Sequence, residues 1–460
     1  MFHKNLIFEI GRILNFGIKT SAHVSANTLN GIFTKSRLDS ESLSDLWLKI
    51  LREELVEGFD ELGPFYTKAI QILLSQDDSS WLRKNFDLNI FLKDLPTLDF
   101  AVVEMILDQE IPAWRLALKV DANPIGSASI GQVHKATDLA GKEWAIKVLK
   151  PNGAKRLRET YDAFQEILTD LKSLAFTFTQ KKILADFEMF LRQLRKECSF
   201  SHEKLNIEKA QLVIAGQRSD LIAVPKLLEK FCTDRVLVME YFEGFSLVDV
   251  LTHKVLLREK NRKELAHDLL SEILVQVFEL GFFHADPHAG NIMVLKRGGL
   301  GLFDWGLVGQ FEEADRIFIA TVLKSLLTMD KERLVDALHD LVKHQGQTKL
   351  NREKITREVE RVIAGTQKKS LKNNSKPIRS IAASIEVCML AAEKLKIQLP
   401  EGLILMIKTL ITVEGLAKNI DADISMLHAA IPVLLRTAKP SGTDLLKLLW
   451  KSPHLIKKML

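Results

Sequence analysis

The chain has 460 residues, 47% of them apolar and 27% charged, with 64 Lys and Arg against 59 Asp and Glu for a formal charge of +5. This is the composition of a folded protein with material for two or three domains, and it excludes disordered, collagen-like and coiled-coil classes as global descriptions. The three cysteines, Cys198, Cys232 and Cys388, lie far apart, so neither a disulfide framework nor a cysteine zinc site is expected, and a reducing compartment is.

In chain order, the N-terminus carries Leu6, Ile7, Ile10, Ile13, Leu14 and Ile18 at helical spacing, interrupted by Lys4, Glu9, Arg12 and Lys19. It has no uninterrupted apolar core before a cleavage site, so no secretory signal is expected. Residues 1–120 read as helical, with Leu46, Ile50, Leu51, Leu55, Phe59 and Leu62 on one stripe before a Gly63-Pro64 break. From about 120 the pattern becomes β-rich, as two runs joined by a hairpin-type turn at Ala140-Gly141. Helix returns over 155–215, and 235–244 reads as a buried strand. An apolar-striped helix over 262–283 ends near Gly281. Residues 291–306 read as a second hairpin with Gly298-Gly299 as a two-residue loop. From Phe311 to about 435 the pattern is helical, with a polar break at 364–378. No run of about 18 apolar residues occurs, so no transmembrane helix is expected.

The charge is uneven. Residues 341–380 hold eleven Lys and Arg against three Asp and Glu, and residues 436–460 hold six against one, so the remainder carries 5 − 13 = −8. The tail LLKLLWKSPHLIKKML suits either an anionic membrane surface or a packed C-terminal helix with its lysines solvated. Neither tract interleaves aromatics as a single-strand nucleic-acid platform does, so no nucleic-acid partner is expected.

Four motifs carry chemistry. Gly126-Ser127-Ala128-Ser129-Ile130-Gly131-Gln132-Val133 has the spacing of the kinase loop G-x-G-x-x-G-x-V, with Ala128 for the middle glycine; glycine permits close approach to phosphates and positive φ. Trp144-Ala145-Ile146-Lys147 follows V-A-I-K except at its first residue, and a strand lysine of that kind serves the α- and β-phosphates. His284-Ala285-Asp286-Pro287-His288-Ala289-Gly290-Asn291 matches H-R-D-L-x-x-x-N in its His, Asp and Asn. Thirteen residues after Asn291 comes Asp304-Trp305-Gly306, a D-F-G match with Trp for Phe. In this scheme Asp286 orients the nucleophile, while Asn291 and Asp304 hold magnesium. Singly, the glycines are a turn and Lys147 a solvated side chain; the ordered set points to a nucleotide cleft between lobes. A rival takes His284, Asp286 and His288, at alternate extended positions, as ligands of a metal-dependent hydrolase. His288 has a plainer reading as a hydrogen-bonding residue within its loop.

These features resemble the UbiB (AarF) family of atypical kinase-like proteins, through Pro124 to Ala136, His284 to Asn291 and Asp304 to Gly306. The resemblance covers residues 45 to 420. It implies an α+β, two-lobed protein-kinase-like fold with an N-terminal helical extension and a mostly helical C-lobe: extension 1–120, N-lobe with helical insertion 121–243, C-lobe 244–435 and basic amphipathic tail 436–460. It implies ATP or ADP with magnesium, and a link to ubiquinone or other isoprenoid-lipid metabolism. The family's K-x-G-Q falls on Lys68 and Gln71, with Ile70 in place of glycine. Its E-x-D and E-x-x-N resemble Glu197 to Ser199 and Glu203 to Asn206, which makes Glu203 the expected partner of Lys147 and replaces an aspartate by Ser199. The backbone near Glu240 and Phe242 is expected to face adenine. Ala285 for arginine, and the absence of A-P-E after Gly306, argue against an ordinary peptide kinase. The expected activity is that of an ATPase or a small-molecule or lipid-directed kinase. Expected partners are an anionic membrane surface, a lipid or quinone intermediate and a lipid-biosynthetic protein complex, with a cytoplasmic location peripheral on a membrane. The alternative is a nucleotide-binding scaffold, or pseudokinase, regulating such a complex.

Overall fold

The computed structural model describes residues 97–127, 131–151, 198–215, 221–252, 258–328, 330–344, 351–372 and 402–437, with scattered positions over 155–195 and 390–397. Lys68, Gln71, Ala128, Ser129 and the tail beyond 437 lie outside them. Two compact units form, one from residues up to 204 with 227–241, the other from 205–226 with 242 onward.

The first unit is built on a four-stranded sheet of β1 (Leu118–Ser127), β2 (Gly131–Asp138), β3 (Glu143–Leu149) and β5 (Val236–Glu240), in the order β1-β2-β3-β5. All its pairings are antiparallel. Side chains alternate across a strand. Trp144, Ile146 and Val148 therefore pack on one face with Val236, Val238 and helix α1 (Phe100–Glu110), which contributes Val103, Ile106 and Leu107. Asp99 caps α1 by accepting from the Ala101 amide at 2.9 Å. Ala145, Lys147 and Leu149 take the other face. β1 is an edge strand, where Pro124 sits beside a register shift without breaking a shared ladder.

The expected turn at Ala140-Gly141 is present. Gly141 takes φ +81°, and Asp138 Oδ1 accepts from the amides of Ala140 and Lys142, both at 2.9 Å. Trp144, the departure from V-A-I-K, donates from Nε1 to Asp138 Oδ2 at 2.9 Å. That bond is the main reason the Asp138 carboxyl lies below its ordinary pKa.

The second unit holds a two-stranded sheet of β7 (Phe282–His284) with β10 (Val308–Gln310), and a four-stranded sheet in the order β4-β9-β8-β6. Its strands are β4 (Ile222–Ala223), β6 (Gly244–Ser246), β8 (Ile292–Leu295) and β9 (Leu300–Leu302). Around these lie helices that include α2 (Glu259–Val275), α3 (Glu313–Thr328), α4 (Lys331–His344), α5 (Arg352–Lys372), α6 (Gly402–Ile420) and α7 (Met426–Thr437). A π-helical turn, Gln276–Leu280, follows α2, and Gly281 at φ +67° stops it where expected.

Two expectations are corrected. Leu295 N–H donates to Gly299 O (3.1 Å) and Gly298 N–H to Leu295 O (3.0 Å), so the second hairpin loop has three residues, Lys296 to Gly298, with Gly298 and Gly299 both at positive φ. The polar break expected from 364 does not begin there, since α5 continues to Lys372. Within 364–372 stand Gln367, Lys368, Lys369 and Lys372, residue types that favour helix.

Candidate functional site

In the first unit, Gly126 pairs with Val133, Val133 with Lys147 and Lys147 with Leu237, so the motif residues form one row across four strands. Lys147 points away from α1. There its ammonium donates to both carboxylate oxygens of Glu203, at 2.9 and 2.8 Å. Glu203 belongs to the first turn of a helix, Ser201–Ala210, and is 5% exposed. The ammonium also lies 5.3 Å from the Phe200 ring centroid. The expected pairing of Lys147 with Glu203 is therefore present as a bidentate, largely desolvated ion pair. Ser199, in place of an aspartate, accepts from the Ser201 amide at 3.1 Å, and its hydroxyl donates to Asp234 at 3.3 Å. A carboxylate thus reaches this helix start from another part of the chain.

Neither Gly126 nor Gly131 uses positive φ, contrary to that part of the expectation. A Cβ at Gly126 would meet nothing within 4 Å, and one at Gly131 would make only ordinary contacts. Protein packing therefore does not demand glycine at either position. Lys150, 8% exposed, donates to the Ser127 hydroxyl at 2.8 Å and ties the end of β1 to that of β3. On the outer side of β5, Leu228 N–H donates to Val238 O at 2.9 Å and the bridge ends at Met239, so this pairing stops before Glu240.

Two residues quoted only within the motif prove structural. His134 Nδ1 lies 2.8 Å from the Asp121 carbonyl, which can only accept, so the ring proton sits on Nδ1. Nε2 then accepts from the Gln132 amide at 2.9 Å. The same Gln132 side chain accepts from Leu98 N–H (2.6 Å) and donates to Leu98 O (3.3 Å), clamping the approach to α1 onto β2. Burial lowers the His134 pKa, opposed by Asp121.

In the second unit, hairpin register explains the spacing of Asn291 and Asp304. Ile292 pairs with Leu302, and Phe303 N–H donates to Asn291 O at 3.3 Å, so the two residues stand at the neck of one hairpin. Asn291 Nδ2 donates to Asp286 O at 3.1 Å, and Asp304 Oδ1 accepts from the Gly306 amide at 3.1 Å. A neutral amide oxygen and a carboxylate are hard donors, and they fit magnesium, which commonly takes one or two protein oxygens and completes its shell with phosphates and water. Trp305, fully buried, donates from Nε1 to Leu302 O at 2.8 Å, and Asn206 Nδ2 donates to Trp305 O at 2.8 Å. Phe242 is buried, and a Cβ on Gly301 would come within 2.5 Å of its ring.

The catalytic-type loop is held from within. The Asp286 amide donates to His284 Nδ1 at 3.2 Å, and His288 N–H donates to Asp286 O at 2.8 Å. His288 Nδ1 accepts from the Gly290 amide at 3.1 Å, the loop role expected of it. A Cβ on Gly290 would come within 2.9 Å of that ring, so the fold of this loop calls for glycine there. His284 is fully buried, edge-on to Trp305 with centroids 4.8 Å apart. Burial lowers its pKa, opposed by the Asp286 and Asp304 carboxylates. The hydrolase triad is thereby corrected. The chain turns at Asp286 to His288, the His284 ring is sealed in the core, and among the described residues no group of three His, Cys, Asp or Glu could hold a metal ion.

One contact at this loop was missed. Lys408 Nζ lies 3.1 Å from Asp286 Oδ1. Its sequence signal is its isolation, as the single charged residue in the apolar run 402–413.

Residues 93–338 match the ABC1 atypical kinase-like domain, and residues 379–425 match the UbiB helical domain. An uncharacterized protein from the hydrogenase 1 5′ region of Clostridium pasteurianum is 26% identical over 385 residues, which is 83% of this chain and 70% of that protein. The uncharacterized protein slr0889 of Synechocystis sp. is 26% identical over 336 residues, 70% of this chain and 80% of its own length. The solved structure of Rv3197 with erythromycin, from Mycobacterium tuberculosis, superposes with a TM-score of 0.50 at 19% identity, covering 83% of this chain and 95% of that one. At that identity the likeness is one of fold.

Proposed function

Since the chain belongs to the ABC1 family of atypical kinase-like proteins, in its UbiB branch, we propose that it binds adenine nucleotide with magnesium and transfers or hydrolyses the terminal phosphoryl group. The observation that carries this reading is the bidentate Lys147–Glu203 pair at 2.8–2.9 Å, which aims an ammonium as a kinase aims one at the nucleotide phosphates. In this reading the 126–131 loop and Val133 line the nucleotide, and the backbone near Glu240 and Phe242 meets adenine. Asn291 and Asp304 hold magnesium, which when bound neutralises charge on the phosphates. Asp286 accepts or orients the proton of the attacking hydroxyl or water.

The acceptor is proposed to be water, a small molecule or a lipid of isoprenoid-quinone metabolism. Only residues 307–312 separate Gly306 from α3, and Val308–Gln310 of these are β-strand. That leaves little chain for a peptide-docking activation segment. Peripheral membrane contact through the two basic tracts is part of the proposal; no helix among the described residues is long and apolar enough to cross a membrane.

The test is magnesium-dependent ATP hydrolysis by the wild type and by Asp286→Asn, with and without anionic liposomes. Loss of a general base costs roughly 10²–10⁴-fold in rate, so the variant should lose turnover on that scale. Absence of wild-type turnover in both conditions would reject enzymatic activity, and tight ATP binding alone would favour the scaffold.

A further inference from the structure

Lys408 comes from a part of the chain to which none of the four nucleotide motifs belongs, and the packing of its helix brings it to Asp286. Helix α6 buries Leu403, Met406, Leu410, Val413 and Ala417, a stripe at three- and four-residue spacing, and Lys408 stands off that stripe. The helix is pinned at both ends. At its start, a Cβ on Gly402 would come within 2.6 Å of the Phe311 ring and 3.0 Å of the Gln310 carbonyl, so glycine allows the helix to seat against the end of β10. At its finish, Arg262 Nε donates to Ile420 O at 2.8 Å. The position of the lysine is therefore set by packing rather than by a mobile tether.

The Asp286 main chain is fixed by its amide bond to His284 and by the donors of His288 and Asn291 on its carbonyl. These bonds engage the main chain, whereas Lys408 contacts the carboxylate itself at Oδ1. His288 Nε2 is farther off, 3.9 Å from Oδ2. Asp286 and Lys408 keep 32% and 33% of their side-chain surface exposed. A pair this exposed contributes little to stability, about 0–1 kcal/mol. Lys408 is nevertheless the single charged residue in the apolar run 402–413, and it meets the carboxylate assigned to orient the nucleophile.

We propose that Lys408 is a positioning residue for phosphoryl transfer, orienting the Asp286 carboxylate toward the attacking hydroxyl or water. The inference rests on the magnesium-ATP reading above. Misplacement of a reacting group by about 1 Å costs on the order of 10²-fold in rate, so the effect belongs in kcat and not in nucleotide binding.

The experiment measures steady-state magnesium-ATP hydrolysis by the wild type, Lys408→Met and Lys408→Arg, with melting curves for each. The methionine variant is expected to lose about 10- to 100-fold in kcat, with KM for magnesium-ATP within about twofold and an unchanged melting temperature. Arginine, which keeps the charge, is expected to recover a substantial part of the rate. Lys408→Gln serves as the same test should the methionine variant not fold. With wild-type turnover present, an unchanged kcat, a loss confined to KM, or an arginine variant no better than methionine overturns the inference and leaves the magnesium-ATP reading standing. A wild type without turnover overturns that reading and the inference with it.

Discussion

At the scale of single residues, the side chains at this site are held by bonds whose loss has calculable consequences. Lys147 and Glu203 are 13% and 6% exposed as side chains. Removing one partner of such a pair leaves an uncompensated buried charge, costing about 3–5 kcal/mol. Lys147→Met should therefore lower the urea midpoint strongly, and more than Lys408→Met; equal midpoints would contradict the burial. His134 gives a pH dependence of known sign. Its folded pKa lies below the ordinary 6.5, so the unfolded chain takes up the proton first. The stability tied to the neutral ring is present above about pH 6.5 and is lost as pH falls toward the folded pKa. The melting temperature should drop on acidification, and less steeply in His134→Gln; equal slopes would show that the ring does not carry the effect. The roles of Gln132 and His134 were not legible in the sequence, because Gln132 bonds Leu98, 34 residues away, and His134 supports it from the Asp121 carbonyl, 13 residues away.

At the scale of elements, the spacing of the motifs was legible because strand pairing is local. The thirteen residues from Asn291 to Asp304 span one hairpin, and the register alone brings their backbones together. The stretch from Gly126 to Lys147 likewise spans paired strands, with Lys147 opposite Val133. The second hairpin's loop length was misread because two adjacent glycines suit a two-residue turn. The chain instead places Gly298 at the end of a three-residue loop and Gly299 in the first pair of the ladder. Gly244 shows how tightly the strands of the second unit meet, since a Cβ there would run into the Val294 carbonyl across the β6–β8 pairing. The obstacle is backbone and cannot rotate away. Gly244→Ala should cost about 1–3 kcal/mol, as overpacking does, read as a lower denaturation midpoint. Gly126→Ala, which meets no atom within 4 Å, should leave stability unchanged.

At the scale of the whole molecule, binding is separable from turnover by linkage. A ligand that binds only the folded chain stabilises it by about 2.7 kcal/mol at a hundredfold excess over its Kd. Magnesium-ATP should therefore raise the melting temperature of the wild type, of Asp286→Asn and of Lys408→Met alike; no shift in any of them would reject the nucleotide reading. The basic tracts give a second molecular prediction. Binding to anionic vesicles should weaken with salt and on deletion of residues 436–460, and binding insensitive to both would reject membrane contact. The sequence by itself determined the family, the α+β kinase-like class and the order of the motifs, because glycines, strand alternation and hairpin spacing act over a few to some twenty residues. The tertiary structure alone decided that Asp234 meets the helix start at Ser199, that Gln132 clamps Leu98 and that Lys408 reaches Asp286 across 122 residues. Each of those contacts depends on how packed elements bring distant chain segments together, and local periodicity holds no record of that.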